Sequence, residues 1–162
     1  MFLDKRTFST VIQSTPLVSI DLVVINNEGQ ALLGQRLNRP AKGNWFVPGG
    51  RILKNESLAQ AFKRLTLEEL GTEYSIDQAK LQGPYDHFYN DNVFDEAFST
   101  HYVAIAFVLK LEHSLDNLPV NIQHNGYKWF AINELLQDAA VHTNTKAYFA
   151  PKKLQTASSG CA

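Results

Sequence analysis

Between Gly49 and Gly71 the chain reads GGRILKNESLAQAFKRLTLEELG, a glycine pair leading into a helix with charged residues at set intervals. No other stretch constrains the fold as strongly. Leu58, Ala61, Phe62 and Leu65 recur at helical spacing and mark a buried stripe. Asn55 or Ser57 suits the start and Gly71 the end, so a helix is expected from about Ser57 to Leu70. Positions three and four apart share a helix face, which makes Leu65, Glu68 and Glu69 expected neighbours. Two carboxylates on one face suit a hard cation such as Mg²⁺, but glutamates near a helix end ordinarily sit on a solvated face.

The flanking sequence supplies strands for this helix to cover. Val18–Ile25 is β-branched and apolar, Asn26–Gly29 is a turn, and Ala31–Gly34 returns, which predicts a hairpin. Trp45–Val47 is a short strand ended by Pro48-Gly49-Gly50. Further strands are expected near Leu81–Tyr89, Thr100–Leu111 and Tyr127–Phe130, with short helices at Ile132–Leu136 and Thr145–Phe149. Helices interspersed with strands around a mixed sheet indicate an α/β chain, or α+β in some schemes.

A length of 162 residues suits one domain with a real core, expected over residues 1–154, with 155–162 as a flexible tail. A net charge of −1 argues against a broad basic surface, and so against non-specific nucleic-acid binding. No apolar run approaches the roughly 20 residues that cross a bilayer. The opening MFLDKRTFST lacks the apolar core of a signal peptide, and Cys161, the single cysteine, has no internal partner. The expected location is therefore the cytoplasm, with no membrane partner.

Gly50, Glu56, Arg64, Glu68, Glu69 and Gly71 together resemble the Nudix hydrolase signature G-x5-E-x7-R-E-U-x-E-E-x-G-U, in which U is bulky and apolar. The chain departs from it at Leu65, where the family has glutamate, and at Thr66 and Thr72. The resemblance implies an α/β/α sandwich with a mixed sheet, a divalent cation, and a bracing role for Glu56 and Arg64. Further blocks are similar to the GDP-mannose mannosyl hydrolase branch: Asn38-Arg39-Pro40-Ala41, Trp45–Arg51, His87-Phe88-Tyr89, Thr100–Val103, Gln123-His124 and Val141-His142. They extend over about residues 1 to 150. That branch also lacks the glutamate that Leu65 replaces.

The branch hydrolyses GDP-mannose to GDP and mannose, with water attacking the anomeric carbon. Carried over residue by residue, the resemblance implies one Mg²⁺ per subunit, replaceable by Mn²⁺, held by Gly49, Glu69 and Gln123. Arg36 and Arg51 would neutralise the departing diphosphate, and His124 would be the general base. Asp21, His87 and Tyr102 would contact sugar or diphosphate. Phe2, Leu3 and Phe8 would meet the guanine in a homodimer, with Arg36 at the nucleotide end. GDP-glucose is the second substrate to consider.

Residue type alone leaves plainer roles open. By default His124 suits a surface or a half-buried hydrogen-bonded position and Tyr102 a core or edge; Arg51 equally suits a surface, Asp21 a buried hydrogen-bonded carboxylate, and Phe2 and Phe8 an anchor for the N-terminal segment. Two other functions stand beside the first. One is a Nudix pyrophosphatase attacking phosphorus of another nucleotide sugar. The other is a nucleotide-sugar-binding module without catalysis, which the loss of a carboxylate at position 65 would favour.

Overall fold

The computed structural model describes residues 3–113, 115, 118–119 and 124–151. Phe2, Gln123 and the 155–162 tail lie outside them, as do the expectations attached to each. The chain opens with helix α1 (Lys5–Ser14), whose start is capped by Asp4: its carboxylate accepts from the Thr7 backbone N–H at 3.0 Å and the Thr7 hydroxyl at 2.7 Å. Strands β1 (Leu17–Ile25), β2 (Ala31–Arg36), β3 (Trp45–Phe46) and β4 (Gly49–Arg51) follow. Helix α2 (Leu58–Leu70) leads through a 3-10 turn at Ile76–Gln78 into β5 (Ala79–Tyr89) and β6 (Thr100–Lys110). The remaining elements are β7 (His124–Phe130), α3 (Ile132–Gln137) and α4 (Thr143–Lys146).

The strands form one mixed sheet with the order β3-β2-β1-β6-β5. β1 and β6 run parallel over nine residue pairs, from Leu17↔Tyr102 to Ile25↔Lys110, and the other pairings are antiparallel. β4 pairs with β1 and β7 with β2, so the sheet divides around β1 and β2. Parity along β1 explains its continuous apolar sequence. Ile20, Leu22 and Val24 face α2, meeting Ala61, Phe62, Leu65 and Leu70, whereas Val23 joins the opposite core with Phe130, Leu135, Val141 and Tyr148. A strand buried on both faces has no polar alternation to show. Each fully buried large apolar side chain contributes about 1.5–3 kcal/mol, so both helical layers are needed to hold the sheet.

Helix α2 forms where expected. Ser57 and Gln60 make a reciprocal capping box, and Gly71 ends the helix at φ 69°, a conformation that favours glycine. Its face divides differently from the spacing argument. Leu65 is 1% exposed within the core, and Glu69 beside it is equally buried. Glu68 turns outward instead and accepts from Arg64 Nη1 at 2.8 Å. Thr66, which replaces a bulky apolar residue of the signature, is fully buried: its hydroxyl donates to the Lys63 carbonyl and accepts from the Tyr74 N–H, both at 3.0 Å. It thereby pins the segment that leaves the helix.

Four elements differ from the sequence reading. α1 was not anticipated, because KRTFSTVIQS is rich in residues that favour strand or turn. Gly49–Arg51 forms a strand rather than only a turn, its glycines being required by close packing. β7 starts at His124 instead of Tyr127, since Asn125-Gly126 continues the ladder through an irregularity opposite Gly34 and Arg36. α4 begins at Thr143, capped by His142 Nδ1 accepting from the Asn144 N–H at 3.1 Å, and ends before Tyr148.

Candidate active site

The glycine pair sits in the split of the sheet because side chains would not fit there. β4 lies antiparallel to β1, with Asp21↔Gly49, Ile20↔Gly50 and Ser19↔Arg51 in register. A Cβ on residue 49 would overlap the Ile20 carbonyl oxygen, and one on residue 50 would stand 2.6 Å from Leu65 Cδ2. Leu65 thus forms the floor beneath the glycine strand.

Arg64 ties that strand to α2. Its Nε and Nη2 donate to the two Glu56 oxygens at 2.6 and 2.9 Å, and Nη2 also reaches the Arg51 carbonyl at 3.0 Å. Glu56 Oε2 accepts from the Leu53 N–H at 2.9 Å. The bonds from Arg64 hold the Glu56 carboxyl below the usual carboxylate range. Glu56 precedes the helix, and the loop folds back so that two residues eight apart can meet. A forked guanidinium satisfies both carboxylate oxygens and a carbonyl, which a lysine could not.

One cavity opens at this split. Arg36, Arg51 and Gly49 line it together with Asp21, His87, Tyr102 and His124. The structure therefore brings seven of the sequence-selected residues to one place. Asn38, Tyr89 and Ser19 also line the cavity and were not assigned a role from sequence. The two guanidiniums are held over aromatic rings, Arg51 at 4.6 Å from the Phe8 centroid and Arg36 at 5.1 Å from that of Phe46. Phe8 itself packs edge-on against Phe94 at 5.9 Å, so in this chain it supports Arg51. Leu3 is half-buried ahead of α1, away from the cavity lining.

His124 stands at the inner wall. Its Nε2 lies 2.9 Å from Glu69 Oε2, and both side chains are buried. Its ring lies on Gly34, where a Cβ would come within 2.5 Å of His124 Cγ. Position 34 is glycine because the imidazole occupies that space. Among the described residues, Glu69 Oε1 and His124 Nδ1 are buried without a hydrogen-bond partner. Tyr127 donates its hydroxyl to the Glu69 carbonyl at 3.1 Å and fixes this end of α2.

An unpartnered buried carboxylate oxygen is costly, so Glu69 suits a cation as its missing partner. No group of three His, Cys, Asp or Glu side chains among the described residues is arranged to hold a metal ion. Any donor set built on Glu69 is therefore lean, one carboxylate completed by neutral oxygens. That chemistry fits one hard divalent ion. Glu68 is engaged by Arg64.

The opposite wall carries a second polar group. Tyr148 donates to Asp21 Oδ2 at 2.6 Å and contacts His87 Nε2 at 3.2 Å. Burial pushes the Asp21 carboxyl up to about 6, with the Tyr148 bond opposing, and burial lowers His87 to about 4. The sequence reading missed Tyr148. It is 127 residues from Asp21, and no local spacing connects them.

The NUDIX domain family model matches residues 15–151. The chain is 44% identical over 123 residues to the low-salt glycan biosynthesis protein Agl8 of Haloferax volcanii, covering 76% of each chain. Among solved structures, the MutT NUDIX hydrolase from Burkholderia pseudomallei superposes with a TM-score of 0.68 at 26% identity, covering 84% of this chain and 97% of that one. The NUDIX domain of Shewanella oneidensis NrtR, complexed with ADP ribose, gives a TM-score of 0.61 at 21% identity over 90% of each chain, a likeness of fold alone.

Proposed function

The chain belongs to the Nudix family, and from that membership we propose that it is a nucleotide-sugar hydrolase that cleaves GDP-mannose, with GDP-glucose as a second substrate, to GDP and free hexose. The observation that carries this reading is the joint placement of Arg36, Arg51, Asp21, His87 and Tyr102 around the cavity beside the Glu69–His124 pair. Two guanidiniums suit a diphosphate, and a carboxylate, an imidazole and a phenol suit the hydroxyls of a hexose. The role of the relative Agl8 in glycan biosynthesis, as its name states, is in keeping with a nucleotide-sugar substrate.

Water attacks the anomeric carbon as the carbon–oxygen bond to the diphosphate breaks, and GDP leaves with the bonding electrons. Arg36 and Arg51 stabilise the charge that develops on the diphosphate. His124 takes the proton of the attacking water. Its ring has to turn out of its present pairing to do so, since Nε2 is on Glu69 and Nδ1 is against Gly34. A single displacement inverts the anomeric carbon. Glu69, the Gly49 carbonyl and Gln123 would hold one Mg²⁺ or Mn²⁺, which when bound supplies positive charge to the leaving group. The same reading makes the protein a cytoplasmic homodimer whose Phe2, Leu3 and Phe8 segment helps bind guanine. No helix among the described residues is long and apolar enough to cross a membrane.

Hydrolysis in ¹⁸O-water tests the mechanism. Label is expected in the hexose, with GDP unlabelled. Label in a phosphate, with GMP and hexose phosphate as products, would instead establish attack at phosphorus. Binding of GDP-mannose without any release of mannose in the presence of Mg²⁺ would leave only a binding module.

A further inference from the structure

Tyr148 follows α4 and meets two cavity residues through one hydroxyl: Oη is 2.6 Å from Asp21 Oδ2 and 3.2 Å from His87 Nε2. A hydroxyl has a single proton to donate. Burial and the adjacent carboxylate hold the Tyr148 phenol far above its ordinary range, so the proton stays on Oη. An ionised carboxylate can only accept, and the short bond to Asp21 uses that proton. Toward His87, Oη is then left with only its lone pair. The hydrogen of the second contact has to come from His87 Nε2.

Burial lowers the His87 imidazole to about 4, so near neutral pH the ring carries one N–H. With that hydrogen at Nε2, Nδ1 is a bare acceptor. It lies 4.0 Å from Asp21 Oδ2, too far for a hydrogen bond, and is unbonded among the described residues. Tyr148 is itself held firmly. Gln82 Nε2 donates to the Tyr148 carbonyl at 2.8 Å and to the Tyr85 hydroxyl at 2.9 Å, and the Tyr85 ring meets Tyr148 edge-on at 4.7 Å.

We infer that Tyr148 is a positioning residue that locks His87 in its Nε2–H tautomer, so that the cavity presents Nδ1 as a hydrogen-bond acceptor beside the Asp21 carboxylate. Two adjacent acceptors select a ligand that brings hydrogen-bond donors, and a group able only to accept is disfavoured. The tautomer is a property of the free protein. Its use on a hexose hydroxyl rests on the nucleotide-sugar reading.

The test is ¹⁵N NMR of histidine-labelled full-length protein at pH 7.5, without ligand. Wild type is expected to show His87 protonated at Nε2 and bare at Nδ1. Tyr148→Phe removes the acceptor at Oη, and Asp21 Oδ2 becomes the nearest acceptor facing Nδ1. The variant should therefore lose the exclusive Nε2–H form and gain Nδ1–H. A tyrosine that merely filled space would leave the tautomer unchanged on substitution, and that result would overturn the inference. So would a wild-type His87 protonated at Nδ1, which needs no variant to observe. GDP-mannose binding should weaken about tenfold in Tyr148→Phe, the effect of misplacing one hydrogen bond. If wild type fails to bind GDP-mannose, the substrate reading falls and the tautomer result still decides the role of Tyr148.

Discussion

Gly34→Ala is the sharpest test of how the His124–Glu69 pair is built. An alanine Cβ would stand 2.5 Å from His124 Cγ and 2.9 Å from Cε1, far inside normal contact. The ring must withdraw by about 1 Å to restore ordinary van der Waals separation. That motion disturbs the contact of Nε2 with Glu69, now 2.9 Å. A buried hydrogen bond to a charged group is worth about 1.5–3 kcal/mol, and an overpacked core costs about 1–3 kcal/mol. The two do not add fully, because a ring that moves relieves the overlap. The expected destabilisation is therefore about 2 kcal/mol, or a fall in Tm of about 4–8 °C at this chain size.

Urea denaturation of a double-mutant cycle with His124→Ala isolates the cause. Without the imidazole, the added methyl meets no ring, and replacing glycine by alanine in a strand is neutral or mildly stabilising. The coupling between positions 34 and 124 should thus approach the full 2 kcal/mol estimated above for the single variant, within the roughly 0.5–3 kcal/mol range measured for residues in contact. Equal destabilisation in both backgrounds would refute the claim that the imidazole is what keeps residue 34 a glycine.

His124→Gln, which removes the proposed general base, should slow the proposed GDP-mannose hydrolysis by about 10²- to 10⁴-fold in steady-state assays, and full activity would remove that role. Arg64→Ala strips bonds from Glu56, Glu68 and the Arg51 carbonyl and should cost about 2–3 kcal/mol in urea denaturation. Arg64→Lys should recover less than half of it, because an ammonium cannot fork. Leu65→Glu, which restores the family signature, should lose at least about 3 kcal/mol by burying an unpaired carboxylate beneath Gly50; a loss under about 1 kcal/mol would mean that the position is open to water. His87 and Asp21 should act oppositely on acid stability. Burial lowers His87 from 6.5 to about 4, so its contribution is full above 6.5 and is lost as pH falls through 4. Burial raises Asp21 from 3.8 to about 6, so its contribution is full below 3.8 and is lost as pH rises through 6. Denaturation between pH 4 and 6 should show a shallower rise of stability with pH for His87→Gln and a steeper one for Asp21→Asn, relative to wild type.

What could be read from the sequence divides by the range of the interaction. α2 was legible because its stripe, capping residues and terminal glycine all lie within about twenty residues. β1 and β6 announced themselves through β-branched and apolar composition. The parallel pairing of β1 with β6 did not, since only packing of the whole chain brings Leu17 beside Tyr102. Around the cavity, the family pattern gathered residues from six separate stretches that no periodicity relates. It could not show that Glu68 turns outward to Arg64 while Leu65 turns inward, because that choice depends on what α2 packs against. Tyr148 was hidden for a related reason: in the apolar AYFA segment, nothing distinguishes a phenol bonded to Asp21 from one filling a core.

Helix α1 ends at Ser14, and the stretch matched to the family begins at residue 15. Arg51, on the glycine strand, takes its aromatic support from Phe8, which lies upstream of that shared stretch. The family core and the packing environment of this arginine consequently have different borders. Homologous chains can preserve every core position and still hold the guanidinium in different ways, because the supporting ring is carried on a separable piece of sequence. A graft of core residues alone between relatives would leave this support behind. The smallest unit that carries the arginine with its ring is the core joined to the leading helix.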